Sequence, residues 1–458
     1  MQDSKFLQRH TVYLWILLIA SLLSLLPNLG GYQLRAEEPL RLMVSFEMLK
    51  RGEFFQPTFL GEPYYNKPPF FNWLIIAASY IVGWSELTPR VVSIVSLTLT
   101  ALFTILLSYK LIKSINVALL SGLILITSGD VLFWYGYLGE IDITFTLFVS
   151  IMFYLLIIGH IFNKPMYVIL SGIATSLAFL LKGIPAYAFW GSTVLGLFFF
   201  KRSLFLLKHY LVALVISLLI PILWILNTAN PMAYINTLID QAFSRVNKGQ
   251  ASALDHLLHS VEYFALNIKQ LFPHSILFII SSILYRSVLS LNSPMKLLIL
   301  LFLLNYAPYV ISIDSQGRYI LPLFPVIGII MGYYFNEIFK YKTKLLKLFL
   351  AAVSITILLR LIYGLFVLPL TEEHKVNTKA IALSISRFIK DKDIVACDCK
   401  YGKGRSVCVY LAITRSKLLT TSKISPDWTV LLKCSSSISN LSIYNVKLNG
   451  KFISLYKR

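Results

Sequence analysis

The chain has 458 residues, of which 57% are hydrophobic and only 14% charged, with a formal net charge of +21. A water-soluble globule of that composition would lack polar surface, and recurring apolar runs near 20 residues indicate a polytopic helical membrane protein. Nucleic-acid binding fits poorly, because the basic residues are scattered between apolar stretches rather than gathered on one soluble face; they read as the Lys and Arg excess of cytoplasmic loops.

The N-terminus, MQDSKFLQRH, is short and basic, and the apolar run 11–29 follows it. No small-x-small cleavage pattern closes that run, so it reads as a retained anchor with its N-terminus inside. Further apolar stretches fall near 91–110, 116–137, 143–162, 166–181, 185–200, 208–227, 272–289, 295–313, 318–338 and 347–369. The segment 70–84 would be roughly 22 Å long as a helix, short of the ~30 Å hydrocarbon core, and is read as interfacial or re-entrant. With it excluded, Lys110, Lys113, Lys164, Lys201, Arg202, Arg286, Lys296, Lys340, Lys342 and Lys344 fall on the side of Lys5 and Arg9. The positive-inside rule therefore favours about eleven spans with the C-terminus outside.

This topology gathers five polar segments on the outer face: 30–90, 139–142, 182–185, 228–270 and 314–318. The first holds six Glu against six Lys or Arg, too elaborate for a tether between two helices. Water-facing carboxylates beside a lipid surface, with Lys67 before Pro68 and Pro69, suggest chemistry on a lipid-linked polar group. Residues 371–458 are polar and carry short β-prone runs at 393–396, 407–411 and 429–432; a small α/β domain is expected there. All four cysteines, Cys397, Cys399, Cys408 and Cys434, lie in it. An even number in an outward-facing domain suggests disulfides of unspecified pairing, with a metal cluster or free thiols as alternatives.

The candidate chemistry rests on charged residues of the outer segments. Glu37 and Glu38 follow the first span, and Glu140 and Asp142 sit in GEID. Two acidic sites on one membrane face can supply a general base and a substrate-orienting acid; helix capping and interface hydration are the structural alternative. A phosphate leaving group needs fixed positive charge, and Lys67, Lys182, Arg245 and Arg318 are the outer cations; snorkelling to lipid phosphates is their alternative use. Tyr65 and Tyr319 are candidates for substrate contact, although aromatic belts at membrane boundaries are ordinary. His256, His259 and Glu262 lie three apart on one helical face, where a divalent metal could bind, but an amphipathic interfacial helix with its polar side outward is the preferred reading of the spacing. No cofactor is otherwise indicated, and no nucleotide motif is evident.

These residues carry a resemblance to the GT-C integral-membrane glycosyltransferases, closest to the aminoarabinose (lipid A) transferases and the protein O-mannosyltransferases. The family's first outer loop looks like D-E-x-R-Y, then E-M-L, G-D-W, P-x-x-x-G-x-P-Y-x-x-K-P-P and a Trp. Here EEPLRL and FEMLKRGEFFQPTFLGEPYYNKPPFFNW keep the spacing from the acidic pair to Trp73, and GYLGEID, LLKGIPA and RYILPLFP follow in family order. The resemblance implies a catalytic position at Glu37 with Glu38 beside it, a second acidic site at Asp142, and a donor-phosphate lysine at Lys67. It also matches Lys182 to the family's K-G-P lysine. Glu37 stands where the family has Asp, Leu40 where it has Arg, and Asn66 where close relatives often have Glu. It implies inverting transfer from a polyprenyl-phosphate sugar to a lipid, glycan or protein hydroxyl.

The expected architecture is an all-α, GT-C-like polytopic membrane domain over 1–370 and a soluble extracytoplasmic α/β domain over 371–458. The expected setting is the cell (inner) membrane, with the site outside and membrane lipids as neighbours. A lipid or sugar transporter (flippase), or a non-catalytic relative acting as an assembly partner, is the alternative function.

Overall fold

The computed structural model describes residues 2–243, 252–285, 291–436, 441–448 and 450–458. The chain is a multi-pass, mainly helical membrane protein with a small β-sheet unit at its C-terminus. Among the described residues seven helical segments are long and apolar enough to cross a bilayer: Leu87–Ile112, Ile141–Ile161, Pro165–Lys182, Leu204–Leu226, Ser293–Ile311, Gly317–Phe339 and Thr343–Glu373. An eighth crossing arises if Leu254–Gln270 and His274–Leu284 are taken together.

Three other expected spans correspond to shorter apolar helices, Thr11–Leu23, Ile115–Thr127 and Pro185–Phe200. Hydropathy outruns helix here. The apolar stretch 116–137 stops being α-helical at Ser128 and continues as one π turn, Val131–Tyr135, while Gly129 N donates to the Phe272 carbonyl. The stretch 272–289 also differs from expectation. It begins as the 11-residue helix His274–Leu284, set at 104° to the helix before it. Phe70–Val82 is a helix of 13 residues, too short to span, as its apolar length implied.

The first polar loop is folded, not extended. Its helix Glu38–Arg51 starts with Pro39 in the first turn and ends at Gly52, which takes the left-handed conformation (φ 71°). Acid at its start and Lys50 and Arg51 at its end complement the helix dipole. Glu47, fully buried, accepts from Thr58 Oγ1 at 2.7 Å, Leu60 N at 2.6 Å and Gly61 N at 3.2 Å. It thereby fixes the two-residue hairpin β1 (Thr58–Phe59) and β2 (Glu62–Pro63).

Glu38 and Arg90 are both fully buried and form the central clamp. Arg90 donates from Nε and Nη2 to the Glu38 carboxylate, both at 2.8 Å. Its other N–H groups meet the carbonyls of Leu29, Tyr32 and Gln33, and its guanidinium lies 3.5 Å from the Tyr32 ring centroid. Glu38 also accepts from Arg35 N and Gly139 N at 2.8 Å. Position 139 must be glycine, since a Cβ there would come within 2.4 Å of Pro89. One carboxylate thus ties the first loop to the Leu87–Ile112 helix and to the turn preceding Ile141–Ile161.

The C-terminal sheet has the order β3-β4-β6-β5, built from β3 (Val395–Asp398), β4 (Val430–Ser435), β5 (Tyr444–Leu448) and β6 (Lys451–Lys457). The β3–β4 pair is parallel and the rest antiparallel. Residues 393–396 and 429–432 enter strands as expected, but 407–411 do not. That run lies inside the helix Gly402–Arg415, where Val407 to Leu411 are buried; a short apolar run does not distinguish a strand from a buried helix face. The cysteines form two disulfides, Cys397–Cys408 and Cys399–Cys434.

Replacing Glu38 by alanine leaves the Arg90 guanidinium buried without its counter-charge. We expect a loss of about 3–5 kcal/mol, read as a lowered thermal midpoint in detergent. A midpoint equal to wild type would show that the clamp does not hold the fold.

Candidate active site

The first loop, the N-terminal end of Ile141–Ile161, the C-terminal end of Pro165–Lys182 and the turn at 317–319 enclose one cavity of about 470 Å³. Four cations, Arg41, Lys67, Lys182 and Arg318, and three carboxylates, Glu37, Glu140 and Asp142, face it.

Local chain geometry explains the charge pairing. Asp142 lies in the first turn of one helix and Lys182 in the last turn of its neighbour. Each charge sits at the helix end whose dipole favours it. Gly183, at φ 78°, turns the chain sharply after Lys182. The Lys182 ammonium donates to Asp142 Oδ1 at 2.5 Å and lies 5.1 Å from the Phe145 ring centroid and 5.9 Å from that of Tyr319. Lys67 donates to Gln241 Oε1 at 2.9 Å, and Gln241 Nε2 donates to the Asn66 carbonyl at 3.0 Å. Arg41 donates to Tyr64 Oη at 3.0 Å.

Glu37, the N-cap of the loop helix, has a side chain 43% exposed. It is the accessible carboxylate of the three; Asp142 is engaged by Lys182, and Glu140 is buried with 6% of its surface exposed. Burial first, then the charges of Asp142 and Glu38, pushes the Glu140 carboxyl up to about 7 against the opposing pull of Arg318 and Arg41.

The cavity gathers seven of the ten residues expected from sequence: Glu37, Lys67, Glu140, Asp142, Lys182, Arg318 and Tyr319. Glu38 does not face it, since its carboxylate is consumed by Arg90, Arg35 N and Gly139 N. Tyr65 packs edge-on against Tyr234 at 4.8 Å, and its neighbour Tyr64 lines the cavity instead. Arg245 lies outside the described residues. His256 donates from Nδ1 to the Ile311 carbonyl at 3.1 Å, and His259 stacks on Tyr263. Among the described residues the one His, Cys, Asp or Glu group close enough to ligate an ion is Cys397, Cys399 and Cys408, whose sulfurs are in disulfides.

Sequence reasoning missed Arg41, Tyr64, Gln241 and Tyr309. Arg41 was within reach, because it lies one helical turn after Glu37 and shares its face. Gln241 was not, since nothing local links it to a lysine 174 positions away.

The fold and the cavity define the class: the chain is a multi-pass helical membrane protein that resembles the aminoarabinose transferases and the protein O-mannosyltransferases. The family described as dolichyl-phosphate-mannose-protein mannosyltransferase matches residues 66–225. The undecaprenyl phosphate-alpha-4-amino-4-deoxy-L-arabinose arabinosyl transferase of Pseudomonas savastanoi pv. phaseolicola is 29% identical over 218 residues, covering 46% of this chain and 40% of that protein. An uncharacterized protein of Aquifex aeolicus is 28% identical over 306 residues, 66% of this chain and 59% of its own length. The matches thus span about half the length of these relatives. The crystal structure of ArnT from Cupriavidus metallidurans bound to undecaprenyl phosphate superimposes with a TM-score of 0.73 at 15% identity, over 97% of each chain. The apo form of the same protein gives 0.69; these structures establish a shared fold.

The Glu140 carboxyl keeps its proton to higher pH in the folded chain than in the unfolded one. Its burial therefore costs stability as pH rises from about 4.5 to about 7. Glu140→Gln should match wild type in thermal midpoint near pH 4.5 and exceed it at pH 8, by up to about 3 kcal/mol. A difference that does not change with pH would contradict the elevated pKa.

Proposed function

We propose that this chain transfers a sugar from a polyprenyl-phosphate donor to a hydroxyl of an envelope lipid, glycan or protein, with inversion at the anomeric carbon. The observation that carries the reading is the accessible Glu37 carboxylate sharing one cavity with Arg41, Lys67, Lys182 and Arg318 in a chain with this fold. Residues 1–370 form the catalytic membrane domain and 371–458 an extracytoplasmic domain in this reading. Lys164, Lys201 and Arg202 lie at or beyond helix ends opposite those that carry the cavity, and Lys110 and Lys113 lie at the end of Leu87–Ile112 opposite the clamped Arg90. By the positive-inside rule this supports a cavity on the outer side of the membrane, which in this reading is the inner membrane.

In this mechanism Glu37 accepts the proton of the acceptor hydroxyl as its oxygen bonds to the anomeric carbon. The bond from that carbon to the phosphate oxygen breaks on the opposite face, and the phosphate leaves with the electron pair. Lys67, Lys182 and Arg318 meet the charge that develops on it. Asp142 holds the Lys182 ammonium in place. A second, almost wholly apolar groove of about 450 Å³, lined by Phe54, Phe55, Trp73, Ile76, Ala77 and Tyr80, borders the helix that follows Pro69. It takes the first part of the polyprenyl chain, with Lys67 six residues from Trp73 at the phosphate end.

The test compares envelope lipids and glycans by mass spectrometry from cells with and without the protein, then follows the chain-dependent product in variants. Glu37→Gln should cut transfer by about 10²-fold or more while undecaprenyl phosphate binding to the purified protein stays near wild type. Lys67→Ala should weaken that binding. Full transfer by the Glu37→Gln protein would remove Glu37 from the mechanism.

A further inference from the structure

The C-terminal unit does not stand apart from the cavity. Its helix Gly402–Arg415 packs on the loop helix Glu38–Arg51. Tyr410 accepts from Leu34 N at 2.9 Å, Thr421 N donates to the Leu60 carbonyl at 3.0 Å, and Lys400 pairs with Glu62. One contact reaches the accessible carboxylate itself. Arg405 donates from Nη2 to the Ala36 carbonyl at 3.1 Å and lies 3.5 Å from Glu37 Oε1.

Both ends of that contact are constrained. Ala36 holds φ at 48°, a left-handed value that costs a non-glycine residue, and Arg405 satisfies the carbonyl this conformation presents. Arg405 in turn lies between two disulfides. Its neighbour Gly404 packs so closely on Cys399–Cys434 that a Cβ would come within 2.3 Å of Cys434 Sγ. Three residues on, Cys408 is bonded to Cys397 of β3. The Arg405 side chain is only 13% exposed, so it does not act as a freely solvated surface charge.

We propose that Arg405 is a positioning residue for the transfer reaction: the disulfide-bonded C-terminal unit completes the active site by fixing the backbone at Ala36 and the rotamer of Glu37. This inference rests on the reading of Glu37 as the base. Arg405 touches neither donor nor acceptor; it acts by holding Glu37 where an incoming hydroxyl can reach it.

Two measurements on the full-length protein in detergent separate this proposal from a docking role and from failure of the base assignment. The first is the rate at which a water-soluble carbodiimide modifies Glu37, followed by peptide mass spectrometry. Modification should quicken severalfold in Arg405→Ala, stay near wild type in Arg405→Lys, and be unaffected in Lys379→Ala. That last variant breaks another contact of the C-terminal unit, to Glu86, away from the cavity. The second is formation of the chain-dependent envelope product. Arg405→Ala should lower kcat by about 10- to 100-fold with little change in donor KM. Arg405→Lys should recover most of it, and Arg405→Ala should cost nothing further in a Glu37→Gln background.

Unchanged carbodiimide labelling in Arg405→Ala overturns the proposal whether or not Glu37 is the base. An equal loss in Lys379→Ala also overturns it, because general docking would then be the cause. Faster labelling without loss of transfer overturns it too, because Arg405 would then hold the carboxylate without serving the reaction; the base role of Glu37 is decided separately by Glu37→Gln.

Discussion

The buried pair of Glu38 and Arg90 organises the molecule. A guanidinium and a carboxylate removed from water are tolerated only when their geometry and hydrogen bonding are nearly complete, and here all five N–H groups of Arg90 find acceptors. The carboxylate divides its remaining capacity between Arg35 N and Gly139 N. That division sets the cavity. Glu37 immediately precedes the clamped acid in the chain, and Glu140 immediately follows the clamped glycine. A structural carboxylate thereby brings two functional candidates into the lining of one cavity, although neither belongs to the pair.

Much of the cavity's chemistry was legible because charge is conspicuous in an apolar chain. Asp142, Lys182 and Arg318 stand at the ends of long apolar runs, where hydropathy and loop charge together assign them to one side. Lys67 is marked out by the proline pair that follows it. Charge and spacing did not separate Glu37 from Glu38; only the resemblance put the catalytic position at Glu37. Adjacent acids look alike in sequence, and their roles are decided by Arg90, 52 positions from Glu38. The same limit separates Tyr64 from Tyr65, which the loop turns in different directions.

Errors in secondary structure share one physical origin. Apolar content reports burial rather than backbone conformation. The run Val407–Leu411 is buried in a helix, and the stretch 116–137 stays apolar through Ser128, where the α-helix ends. The stretch 272–289 likewise promised a full span, but its helix, His274–Leu284, has only 11 residues. The C-terminal contacts lay further out of reach. Arg405 reads as one more surface cation until the disulfides and the loop helix bring it beside Glu37.

The distance along the chain between those two residues, 368 positions, also sets a timetable. At ribosomal elongation rates of about 5–20 residues per second, the first loop emerges roughly 20–70 s before its distant arginine partner. During that interval the growing polypeptide already possesses its anchor and its acidic loop, but lacks the segment that braces them. The contact between Arg405 and Glu37 therefore forms among the last events of synthesis, once the disulfide-bonded C-terminal unit has been made. A nascent or prematurely terminated product would lack the brace on Ala36 and Glu37.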